Sequence, residues 1–179
     1  MDLPPDCHVV RLCGAASLGS DGEVTAAAFK PHLGNETRAA DTDLSVHWLE
    51  YLGEGTHSEC LQRLRAFINE ASIPGERKLS PKGVMAVLNV DRIQTASRSL
   101  DFNTAVRHMP RINPCEPGLW TDDEHVDHIG VNVEAAKEGG LGIDPHSGIC
   151  TMPQEAIREF AFQAMLADQV VHSEPCRPS

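Results

Sequence analysis

Gly83-Val84-Met85-Ala86-Val87-Leu88-Asn89-Val90 is the most apolar run in the chain, and its reading decides the fold. It is too short for an ordinary buried helix and is bounded by Pro81 and a polar stretch. A brief apolar run between turn signals reads as a strand covered on both faces. A strand of that kind needs partners on either side and apolar layers above and below it.

Upstream, Leu61, Leu64, Phe67 and Ile68 recur at helical spacing behind Thr56 or Ser58 as N-cap, and Pro74-Gly75 ends the pattern. This predicts a helix over about 58–71. Before it, residues 44–52 carry β-branched and aromatic side chains and are punctuated by Gly53 and Gly55, which predicts a strand handing over to a helical turn. His8 to Cys13, followed by Gly14, reads as the first strand. Residues 24–29 fit a short strand or a turn of helix, and 31–43 read as a long connection.

Downstream, the pattern decays from Ile93 to Gly118. Pro110, Pro114 and Pro117 predict an irregular loop over 93–118. Thr121-Asp122-Asp123-Glu124 matches a capping box, Ile129, Val131 and Val133 alternate as in a strand, and Asp144 to Gly148 reads as a turn. A last helix is predicted over about 154–171, with Ile157, Phe160, Ala161, Ala164, Met165, Ala167 and Val171 on its buried stripe and Pro153 just ahead. Phe162 and Met152 fall off that stripe and would supply an apolar patch for a homodimer. The expected architecture is therefore α+β: one mixed or antiparallel β-sheet with two main helices packed on it. A single globular domain over 1–172 would be followed by a frayed tail over 173–179.

Composition narrows the function classes. A net charge of −11 disfavours nucleic acid, because affinity for a polyanion comes from Lys and Arg. No apolar run approaches the roughly 20 residues of a membrane span. The start, Met1-Asp2-Leu3-Pro4-Pro5-Asp6, lacks the basic and apolar regions of a secretory signal, so the expected location is cytoplasmic. Cys7, Cys13, Cys60, Cys115, Cys150 and Cys176 are spread singly, which is neither a disulfide framework nor a zinc ribbon.

Nine histidines are the compositional oddity. His125 and His128 lie in an acidic segment and share a face if it is helical, where they could hold zinc or another divalent metal. A third ligand would come from His108, Cys115 or His146. His146, Ser147 and Cys150 place a base, a hydroxyl and a thiol near one turn, a candidate thiol or serine catalytic set. In a chain with few aromatics, Trp48 and Tyr51, beside His47 and Glu50, read first as core packing and, as the alternative, as the lining of a pocket with an acid and a base. His8 and Arg11 would join them only if the first two strands pair.

The strings His8-Val9-Val10-Arg11-Leu12, Leu44 to Leu52 and Pro145 to Cys150 resemble those of uncharacterised conserved bacterial proteins. The resemblance brings no activity or site residue with it. Without a strong catalytic motif, the leading expectation is a non-catalytic accessory domain with a protein partner and no cofactor. A metal-binding protein or metal-dependent hydrolase is the first alternative, and a thiol or serine enzyme the second.

Overall fold

In the computed structural model, which describes residues 1–37, 40–41, 43–70, 79–108, 111–112, 143–144, 146–152 and 159–177, the run at 84–89 is a strand between two apolar layers. Met85 and Val87 join Val10, Leu61, Leu64 and Ile68 on one side. Ala86 and Leu88 join Val9, Val46, Phe29 and Phe162 on the other. All four strand residues are fully buried, which is why the run shows no polar alternation.

In chain order the described elements are β1 (His8–Cys13), β2 (Leu44–Trp48), α1 (His57–Glu70), β3 (Val84–Asn89), α2 (Val90–Arg98), β4 (Asn103–His108), β5 (Arg111–Ile112), β6 (Ile143–Asp144), β7 (His146–Met152), α3 (Phe160–Asp168) and β8 (Val170–Pro175). Short 3-10 turns occupy Ala26–Phe29 and Leu49–Leu52. Six strands form one sheet in the order β4-β7-β2-β1-β3-β8, and β5 pairs with β6 separately. Among the described residues every ladder is antiparallel. The class is α+β, with three described helices where two were expected.

Helix α1 covers one face of the sheet. Its N-cap is Thr56: the Thr56 amide donates to the Glu59 carboxylate at 2.8 Å, and the Glu59 amide reaches back to Thr56 Oγ1 at 3.3 Å. This reciprocal pair satisfies two amides that a helix start leaves open. The opposite face is covered by α2, α3 and the turn at 26–29.

Five expectations change. Residues 90–98, in or beside the expected irregular loop, form α2, capped by Asn89, whose side chain accepts from the Arg92 amide at 3.1 Å. Its buried face is small, Val90, Ile93 and Ser97, so the periodic signal is faint. The described part of the last helix spans Phe160–Asp168, and Val171 belongs to β8. Phe160 is 71% exposed while Phe162 is fully buried, the reverse of the expected stripe. Phe162 meets Phe102 edge to face, with ring centroids 6.1 Å apart, so it is core and not a dimer patch. The expected turn over 144–148 instead runs into β7, whose His146 to Ile149 pair with β2.

Residues 173–176 of the stretch expected to fray are tied down. Ser173, Glu174 and Pro175 pair with β3, Cys176 is fully buried, and Arg65 donates to the carbonyls of Cys176 at 3.0 Å and Pro175 at 2.9 Å. The expected capping box at 121–124, the strand at 129–133 and the helix start before 159 lie outside the described residues. Among the described residues no helix is long and apolar enough to cross a membrane.

Candidate functional site

Alternation along β1 puts Arg11 on the same face as Val9 and Cys13, an apolar setting for a guanidinium. The fold accommodates it where two strands part. The β1–β2 ladder holds Val9 against Trp48 and Val10 against His47 and goes no further. Arg11 fills the opening: Nε donates to the Ala28 carbonyl at 2.9 Å and Nη1 to the Ser45 carbonyl at 2.7 Å. Burial pulls the Arg11 pKa down, with Cys13 and Asp41 opposing. A guanidinium starts so high that it remains a cation.

Arg11 forms one wall of a cavity of about 500 Å³, together with Lys30, Pro31, His32, Asp41, Leu44 and Ser45. This is within the size range of small-ligand sites. Lys30 follows the turn at 26–29, which is anchored in the core by buried Ala28 and Phe29. His32 is positioned by a closed loop. Its amide donates to Asp41 Oδ2 at 2.8 Å, and the Asp41 amide returns a bond to the His32 carbonyl at 2.8 Å.

The turn in that loop depends on Gly34. Its φ is +86°, and a Cβ there would sit 2.9 Å from the Ala40 amide nitrogen. The Gly34 amide donates to His32 Nδ1 at 3.0 Å, which leaves the proton of a neutral ring on Nε2. Arg11 Nη2 makes no protein hydrogen bond among the described residues. The cavity therefore offers donors from Arg11, Lys30 and His32. The facing carboxylate, Asp41, already accepts from a backbone amide.

Arg11 was expected to join Trp48 and Tyr51 if β1 and β2 paired; the strands do pair, but Arg11 lines a different cavity. His8 and Glu50 also meet, at 2.7 Å. Lys30, His32 and Asp41 were missed; a strand arginine among apolar neighbours, followed by a closely spaced Lys, His and Asp, was the available signal. Trp48 and Tyr51 pack on each other and on His108, with centroids 4.8–5.4 Å apart.

His146, Ser147 and Cys150 share β7 but do not converge. Alternation sends Ser147 to the face opposite His146 and Cys150. Four strand residues separate the latter two by about 13 Å. Ser147 Oγ lies 3.4 Å from His108 Nδ1, and His146 Nε2 lies 3.1 Å from Ser45 Oγ. The Ser45 side chain is on the face opposite Leu44, away from the Arg11 side chain. Burial, followed by the N-terminal ammonium, lowers the His108 pKa.

Among the described residues no three His, Cys, Asp or Glu side chains are arranged to hold a metal ion. His125, His128 and Cys115 lie outside them.

Burial is the leading cause raising the thiols of Cys150 and Cys176 and pushing Cys13 up to about 12. Thiolate is the reactive species. Iodoacetamide at pH 7.5 is accordingly expected to alkylate Cys13, Cys150 and Cys176 more slowly than a free cysteine. Peptide mass spectrometry checks this, and rapid labelling of Cys150 would restore the thiol-enzyme reading. Compared with protein-family models, curated proteins and solved structures, the chain finds no match.

Proposed function

We propose that this chain is a non-catalytic, cytoplasmic binding domain that takes a small anion, a carboxylate or a phosphate monoester, in the Arg11 cavity. One observation carries the reading. Arg11 is fixed by two backbone carbonyls while, among the described residues, Nη2 makes no hydrogen bond, at the wall of a cavity that Lys30 and His32 also line. In a chain of net charge −11, cationic side chains gathered around one concavity need a reason. A donor that is fixed and partly desolvated, as Arg11 is, binds an anion without a further ordering cost of its own.

The five described cysteines are free thiols, as a reducing compartment maintains.

Calorimetric titration with inorganic phosphate and with succinate at pH 7.5 tests the reading. Saturable 1:1 binding of at least one is expected, and Arg11→Lys should weaken it about tenfold or more, roughly 1.4 kcal/mol. A lysine can supply charge, but it cannot hold both carbonyls and the ligand. Absence of binding by both anions, or affinity unchanged in Arg11→Lys, would refute the assignment.

A further inference from the structure

On the other face of the sheet, three histidines from distant parts of the chain form a row. His57, at the start of α1, lies between His8 of β1, with ring centroids 4.6 Å apart, and His172 of β8, at 5.8 Å. A carboxylate stands at each end. Glu50 binds the His8 ring at Nδ1 (2.7 Å) and also accepts from the His8 amide at 2.9 Å. Glu174 binds His172 Nε2 at 3.0 Å and is itself held by the Ser58 hydroxyl and by Arg65 at 3.6 Å. From β3, Asn89 Nδ2 lies 3.5 Å from His8 Nε2. Glu59, on α1, is committed to the helix cap.

We propose that His8, His57 and His172 form a proton-operated clasp that holds the first turn of α1 against β1 and β8 at neutral pH and releases it in acid.

The position of His57 decides this. A proton on either outer ring sits beside a carboxylate, whereas a proton on His57 sits between two imidazoles and at the positive end of a helix. Burial lowers the His57 pKa, His8 and His172 lower it further, and Glu50 opposes them. The released form then binds protons more readily than the closed one. The closed form is fully favoured above the ordinary imidazole range, near pH 6.5, and loses ground as pH falls from there through the lowered value. Burial raises the Glu174 carboxyl, but hydrogen bonds from Ser58 and His172 and the charges of His172 and Arg65 bring it below the usual range. Glu174 thus stays ionised while His57 titrates.

Hydrogen exchange read by mass spectrometry, as protection factors at pH 7.5 and 5.5, tests the clasp. Segments 56–62 and 170–176 are expected to lose protection about tenfold in acid, while 84–88 keeps theirs. His57→Gln should erase the difference, with far-UV circular dichroism and the less disruptive His57→Asn as checks on folding. Equal protection at both pH values, or the same acid loss in folded His57→Gln, would overturn the proposal. So would tight zinc binding at pH 7.5 that disappears in His57→Gln, which would make the row a metal site.

Discussion

Phe162→Ala is expected to lose about 3–5 kcal/mol of folding stability, while Phe160→Ala, two residues away, stays within about 0.5 kcal/mol of the parent. Phe162 is fully buried with Leu166, Leu88 and Phe29, and Phe160 is largely solvent-exposed. Truncating Phe162 removes a whole ring from water-excluded surroundings and leaves a cavity that the packed layer fills only in part. It also removes the edge-to-face contact with Phe102, a geometry that favours aromatic pairs beyond the area they bury. Domains of this size are held by about 5–15 kcal/mol in total, so the loss is a large share. Urea midpoints of the two variants decide the matter. Equal midpoints would mean that α3 is rotated from the orientation described, with Phe160 on the buried stripe.

That helix marks where sequence reading runs out. Phe160-Ala161-Phe162-Gln163-Ala164-Met165-Leu166-Ala167 is apolar nearly all round, so periodicity cannot say which side meets the sheet; packing against Phe102 and Leu88 does. Helix α2 fails for the opposite reason, with Val90 and Ile93 its only large buried side chains. By contrast, the doubly covered strand, the strand-to-turn passage through Trp48 and the first helix were all legible. Each carries a local pattern strong enough to stand without its neighbours.

The site was legible only in fragments. Arg11 was considered only as a neighbour that strand pairing would bring in, and the two carbonyls that hold it depend on where β1 and β2 part. His8 and Glu50 were separate candidates, and their contact follows from strand pairing. The row through His57 and His172 joins the first strand, the first helix and the last strand, a distance no local pattern spans.

Arg11→Met is expected to cost about 2–4 kcal/mol of stability in addition to anion binding, whereas Lys30→Met costs binding alone. The two cations line the same cavity but are held differently. Removing the guanidinium leaves the Ala28 and Ser45 carbonyls without their 2.9 Å and 2.7 Å donors, and each unsatisfied buried acceptor costs about 1–3 kcal/mol. Methionine is apolar and relieves the cost of burying a cation, so the net loss falls below the sum of those two terms. Lys30 is exposed and holds no strand in place. Its replacement should leave the urea midpoint unchanged while weakening phosphate or succinate binding. Paired denaturation and calorimetry on both variants therefore separate the structural role of Arg11 from the chemistry of the cavity. If Lys30→Met binds both anions as tightly as the parent, the cavity is not where the anion sits, and Arg11 serves only to bridge the opening between β1 and β2.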